Sequence, residues 1–188
     1  MKFYGFRFNK SISKVSWSTI LADGLKIKPD IFWYTNEYGF FYHEENINQS
    51  INELIGLWES ELSTNISMLI THKFDNFSER ALLLLDSYQR GILLNLSEVV
   101  LLAIINNEES FIDEFFDYFS AVDSELLKTM EAYLNNDLSA IKAAESVFIH
   151  RNTWLYRYQK FQNISGINLQ DLDDASFFRL WLSLQKIT

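Results

Sequence analysis

The chain of 188 residues has no cysteine, one proline, six glycines and three histidines. Without thiols it can build neither a disulfide framework nor a cysteine nucleophile. With Pro29 as its single proline and glycine scarce, it holds no Pro-rich or Ser/Gly-rich linker, so its parts are expected to pack rather than to string out. His43-Glu44-Glu45 lacks the His-Glu-x-x-His spacing of a zinc helix, and neither His72 nor His150 supplies one, so no metal and no cofactor is expected. A phosphate-cradling glycine loop and a nucleophile elbow are missing too, and we read no enzyme. Long apolar runs are also lacking: the longest, Val99 to Ile105, has seven residues, against about 20 for a membrane span. The first twenty residues show no apolar centre of a signal peptide. The expectation is a cytoplasmic protein with no membrane partner.

Aromatic side chains are abundant instead, with 5 Trp, 9 Tyr and 16 Phe. With charge dispersed between them, the chain is expected to fold, and its length suits two small domains. Residues 1–123 hold 9 Lys+Arg against 18 Asp+Glu, while residues 124–188 hold 7 against 7. On that division the whole net charge of -9 belongs to the front segment. A basic surface of the kind that grips phosphates is weakly developed throughout.

From the front, Lys2 to Phe8 has strand character and Ser13 to Leu25 that of a helix ending near Gly24. The aromatic and β-branched stretch Ile31 to Tyr42, with Asn36-Glu37 near its centre, predicts a hairpin. Asn48 to Leu62 places Ile51, Leu54, Ile55, Leu57, Trp58 and Leu62 largely along one helical stripe. Ile66 to Ile70 predicts a strand, and Ser78 to Arg90 a helix capped by Ser78 and ended by Gly91. Strand, helix, two strands, helix, strand is the ferredoxin-like order. From Ser97 onward the pattern is helical, with Ser97 and Ser110 as caps, a break at Asn106-Asn107, and Phe111, Ile112, Phe115, Phe116 and Phe119 on one stripe.

The last third carries the sharpest signal. Ser139 can cap a helix in which Ile141, Ala144 and Val147 recur at helical spacing; Phe148-Ile149 then connect to His150-Arg151-Asn152-Thr153, followed by Trp154-Leu155-Tyr156-Arg157-Tyr158. A ring, a guanidinium, an amide and a hydroxyl at a helix start are groups that bind phosphates and base edges. This is the pattern of a helix-turn-helix. With Asp123 to Leu134 before it, and Ser165-Gly166-Ile167-Asn168-Leu169 and Phe177 to Leu184 after it, the stretch resembles the C-terminal DNA-binding domain of bacterial PucR and CdaR regulators. That resemblance implies a transcription regulator, in which a degenerate domain of the Gly-Gly-Asp-Glu-Phe cyclase type often precedes the helix-turn-helix. The front segment resembles a shortened one, and Thr35-Asn36-Glu37-Tyr38-Gly39-Phe40 lacks the cyclase's paired glycines and metal carboxylates. In the family the positions of Leu155 and Gln159 are commonly basic; both are neutral here.

On a helical wheel at about 100° per residue, Tyr158 and Phe161 fall within about 40° of Trp154 and form the core side. Asn152, Tyr156, Gln159 and Asn163 share the opposite side, flanked by Thr153 and Lys160. Arg157 lies where its head can reach phosphate or an inter-helix carboxylate, and His150 can cap the helix or touch phosphate. Asp171, Asp173 and Asp174 precede an apolar helix and are expected to cap it.

The expected fold is α+β: a ferredoxin-like, degenerate GGDEF-like domain over residues 1–96, connecting helices over 97–122, and an all-α helix-turn-helix domain over 123–188. The expected function is DNA-binding transcription regulation, by a homodimer contacting double-stranded DNA with His150, Arg151, Asn152, Thr153, Tyr156, Arg157 and Lys160. The family implies a small-molecule effector. The alternative is a protein-protein interaction module that has lost DNA binding, with Leu155 and Tyr156 at its interface.

Overall fold

The computed structural model describes residues 1–88 and 90–187 and divides into two compact units, Met1–Phe111 and Ile112–Thr188. The protein is mixed α+β. In the first unit the chain runs through β1 (Lys2–Phe8), α1 (Lys14–Leu25), β2 (Ile31–Trp33), β3 (Tyr38–His43), α2 (Asn48–Leu62), β4 (Ile66–Thr71), α3 (Asn76–Tyr88), β5 (Ile92–Asn95) and α4 (Leu96–Ile105). Among the described residues one sheet has the strand order β2-β3-β1-β4-β5. β1 is antiparallel to β3 and β4, β2 is antiparallel to β3, and β5 joins parallel to β4.

The two-residue strand period sends Tyr4, Phe6, Phe8, Phe41, Met68 and Leu93 to one face, where Trp17 and Leu21 of α1 and Ile51, Ile55 and Trp58 of α2 complete the core. Trp17 is fully buried and meets Phe8 edge-on at 5.0 Å and Trp58 at 5.5 Å. Such pairs add about 0.5–1.5 kcal/mol each beyond the area they bury.

The opposite face is only partly covered. α3 lies over β4 and β1, and Gly5 makes room there: a Cβ would stand 2.6 Å from Cε2 of Phe74, whose ring stacks on Phe40 at 4.7 Å. Beyond that ring Phe32, Tyr34 and Tyr42 remain 47%, 52% and 36% exposed. They are stacked rather than scattered, with Phe32 on Phe40 at 5.0 Å and Tyr34 on Tyr38 at 5.6 Å. Polar groups of the same face are settled inside the unit. Arg7 donates to Asp86 at 2.9 Å, Ser67 Oγ to the same carboxylate at 3.0 Å, and the Tyr38 hydroxyl to Glu79 at 2.5 Å. The hydrogen bond to Glu79, helped by burial, pushes the Tyr38 phenol up to about 12.

Several expected caps move. Ser78 is buried inside α3, and the Asp75 carboxylate accepts its N–H at 3.0 Å. Burial alone would raise the Asp75 carboxyl, but the Ser78 amide and the Lys73 ammonium outweigh it and hold the group low. Ser97 and Ser110 also lie within helices. Asn95 caps α4 in a reciprocal box with Glu98, and the Ser110 hydroxyl accepts from Arg80. Gly91, expected to end α3, has φ 68 and donates to Ile66 O at 2.8 Å, turning the chain into the unforeseen strand β5.

α5 (Glu109–Asp117) crosses the boundary between the units. α4 buries Val99, Val100 and Ala103 and lies against α3, whereas Phe115 and Phe119 serve the second unit. With that boundary the charge divides otherwise than a cut at residue 123 implies. Residues 1–111 hold 9 basic against 14 acidic side chains and residues 112–188 hold 7 against 11, nets of -5 and -4.

The second unit continues through α6 (Ser124–Asn135), α7 (Ala140–Ser146), α8 (Arg151–Ser165) and α9 (Leu172–Gln185). Phe119 centres its core, stacked on Phe161 at 6.1 Å and edge-on to Phe178 and Trp181 at 5.1 and 5.0 Å. Among the described residues no helix is long and apolar enough to cross a membrane.

Candidate nucleic-acid interface

Each helix around the site starts on a side-chain cap, which satisfies backbone donors that no turn precedes. Asp123 accepts from Glu125 N, Ser139 from Lys142 N, and Asp171 from the amides of Asp173 and Asp174. His150 caps α8, its Nδ1 accepting the Asn152 N–H at 3.2 Å. That bond leaves Nε2 to carry the proton of the neutral ring. Between the two accounts given by its sequence position, His150 has the capping role here.

The turn from α7 to α8 is tight. Ala143 and Ala144 are buried, small enough for α7 to lie close against α6 and α8. Phe148 turns the chain at φ 55, and its amide and that of Ile149 close back on Glu145 O and Ala144 O. A left-handed conformation at a non-glycine residue costs about 1–2 kcal/mol, and the Phe148 ring recovers none of it by burial, being 97% exposed.

α8 presents two unlike sides. Trp154, Tyr158 and Phe161 are buried, with Trp154 and Tyr158 stacked at 5.1 Å and Tyr133 against both. Burial pushes the Tyr158 phenol up to about 12, and its hydroxyl donates to Asn168 at 2.8 Å. Gly166, at φ 78, ends the helix. The other side exposes Arg151, Asn152, Thr153, Leu155, Tyr156, Gln159 and Lys160. None of these side chains has a hydrogen-bond or ion-pair partner among the described residues. No acidic residue occupies the first turn, so nothing there opposes an approaching anion.

Arg157 differs from the rest of the expected set. Its guanidinium donates to Glu125 at 2.6 Å and to Thr129 Oγ1 at 3.1 Å, tying α8 to α6. Of the two partners open to it, the inter-helix carboxylate is the one it meets here. No sequence spacing pointed to Glu125 and Thr129, because they sit 32 and 28 residues away. Of the three carboxylates expected to cap α9, Asp171 does so, while Asp173 and Asp174 lie in its first turn and Asp174 is buried, accepting the Asn168 N–H.

A short helix, a tight turn and a longer helix with a buried aromatic side and an unpartnered polar side are together a helix-turn-helix. Residues 126–185 match the PucR C-terminal helix-turn-helix domain. The proline-responsive transcriptional activator PutR of Bacillus subtilis is 41% identical over 63 residues, covering 34% of this chain and 15% of that protein. The purine catabolism regulatory protein of the same organism is 32% identical over 65 residues, 35% of this chain and 12% of its own length. A leucine-rich protein of Streptococcus dysgalactiae subsp. equisimilis is 27% identical over 148 residues, 71% of this chain and 52% of that protein. The chain thus spans about half of that last relative and far less of the two regulators. Among solved structures, the regulator of polyketide synthase expression from Bifidobacterium adolescentis is similar at a TM-score of 0.48 and 13% identity, over 98% of this chain and 79% of that one.

Proposed function

We propose that the protein is a transcription regulator of the PucR/CdaR type that binds double-stranded DNA through α8. The observation that carries this is the outer side of α8: Arg151, Asn152, Thr153, Tyr156 and Lys160 are exposed and unpartnered among the described residues, in a segment that matches a DNA-binding family. His150 serves this reading as the cap that fixes the start of the helix, and Arg157 as the strut that holds its angle. Two copies bring two such helices about one DNA turn, roughly 34–36 Å, apart on a near-palindrome. Pairing doubles a contact set that has few cations. We assign the pairing to the uncovered aromatic half of the sheet around Phe32, Tyr34 and Tyr42, since exposed aromatic patches mark protein contacts. The β2-β3-β1-β4 order with alternating directions supports a ferredoxin-like, reduced GGDEF-like front unit. Control by a small-molecule effector belongs to the same reading, in line with the proline-responsive activator PutR.

Fluorescence anisotropy of the full chain on a pool of random duplexes tests it. Binding is expected to weaken steeply between about 50 mM and 200 mM salt, and Arg151→Ala is expected to weaken it further with folding intact. A chain that ignores duplex even at low salt sinks the proposal.

One observation favours a second reading, in which the helix-turn-helix meets a protein. Phe148 at 97%, Ile141 at 63%, Tyr156 at 63% and Leu155 at 49% exposure add apolar surface on α7, the turn and α8. Under it Leu155→Ala and Tyr156→Ala abolish binding to a protein partner, and duplex has no effect.

A further inference from the structure

From the make-up of the outer side of α8 we infer that the duplex it reads is A·T-rich at the contacted base pairs. This rests on the reading of α8 as the DNA-contacting helix. The structure places the cations away from the middle of that side. With Trp154 at zero on the helical wheel, Arg151 lies about 60° to one side and Lys160 about 120° to the other. Both thus lie off the point opposite Trp154 and on opposite sides of it, Lys160 by about 60° and Arg151 by about 120°, toward the phosphate strands that border a groove. Arg157, the remaining arginine of the helix, is held by Glu125 and Thr129.

The centre is left to neutral groups. Asn152, Tyr156 and Gln159 lie within about 40° of the point opposite Trp154, all exposed, while Leu155, 49% exposed, lies about 80° from that point on the Arg151 side. Each base pair has its own major-groove chemistry. Guanine offers two acceptors and is read by Arg or Lys; cytosine offers an amine and is read by a carboxylate; adenine offers an acceptor and an amine and is read by an amide; thymine adds a methyl group met by apolar side chains. This face has no central cation and no carboxylate. It has two amides in Asn152 and Gln159, which fit adenine N7 and N6, and apolar surface in Leu155 and the Tyr156 ring, which fits thymine methyls.

The test is selection of bound sequences from a random duplex library by the full chain, followed by affinity measurements on the selected site. Adenine and thymine are expected at the contacted positions of each half-site. Replacing those A·T pairs with hypoxanthine·cytosine pairs keeps the minor groove of A·T but gives the major groove of G·C. Each swap is expected to weaken binding roughly 5- to 150-fold. Asn152→Ala or Gln159→Ala is expected to remove the preference at one position while binding to random duplex persists. Selected G·C pairs, the absence of any preference, or affinity unchanged by the hypoxanthine swap or by both alanine variants overturns the inference and leaves the DNA reading standing. Failure to bind any duplex overturns the DNA reading, and the inference with it.

Discussion

The two units dispose of polar side chains in opposite ways. In the first, Arg7, Ser67, Asp86, Tyr38 and Glu79 pair with one another across the sheet and α3, and what the unit leaves in water is a stack of aromatic rings. In the second, aromatic rings are gathered inside, and one side of α8 keeps amide, hydroxyl and cationic groups with no internal partner among the described residues. Water satisfies exposed polar groups at little cost, so leaving them unpaired stabilises nothing in the folded chain. Exposed stacked rings keep apolar area in water, which also stabilises nothing. Each unit thus carries one surface that its own folding does not explain, aromatic in one and polar in the other. On the proposed function the first is the protein contact and the second the face that meets DNA.

The most severe way to break this contrast is to empty the aromatic core beneath the polar side. Trp154→Ala is expected to cost about 3–5 kcal/mol, read as a lower midpoint in urea unfolding. In the first unit the matching site is Gly39, where a Cβ would stand 2.3 Å from the backbone oxygen of Phe32. Backbone cannot rotate aside, so Gly39→Ala is expected to cost about 1–3 kcal/mol by the same measure.

The arginines of α8 sharpen the contrast within one helix. Arg157→Ala is expected to cost about 1 kcal/mol, because Thr129 is buried while Glu125 is well exposed and screened. Arg151→Ala is expected to stay within about 0.5 kcal/mol of the parent. Phe148→Gly should go the other way and stabilise by about 0.5–1 kcal/mol, since relief of the left-handed strain exceeds the added chain entropy. A loss of stability there would show that the exposed ring supports the fold.

The smallest effect separates two tyrosines whose phenols are both pushed up to about 12, Tyr38 chiefly by its bond to Glu79 and Tyr158 chiefly by burial. A phenol held above its ordinary value contributes stability that is complete below pH 10 and is lost as pH climbs through about 12. Glu79→Gln is expected to bring the Tyr38 titration down toward its ordinary value while Tyr158 keeps its own. Ultraviolet tyrosinate absorbance during alkaline titration follows both groups. Equal displacement of the two would contradict the separate causes.

Much of this was legible in the chain. The strand at Lys2 to Phe8, the helix at Asn48 to Leu62 and the buried side of α8 followed from periods of 2 and 3.6, because alternation and helical stripes are local. The caps at Ser139, His150 and Asp171 were local too, and Asn95 with Glu98 spells a capping box that could have been read. Less local facts were hidden. β5 is only four residues long and owes its place to pairing with β4. The division of charge depended on a boundary at Phe111, which the unbroken Phe stripe of α5 conceals. The engagement of Arg157 needed partners on another helix, and the uncovered aromatic half of the sheet became visible only once α3 was seen to lie over β4 and β1.

Chemical-shift mapping of the labelled full chain titrated with duplex DNA tests the contrast most directly, because one spectrum reports both surfaces. The account predicts that DNA perturbs the amides and side-chain signals of Arg151 to Lys160 and leaves those of Phe32, Tyr34 and Tyr42 in place. Shifts confined to the aromatic sheet face, or none at all on α8, would contradict it.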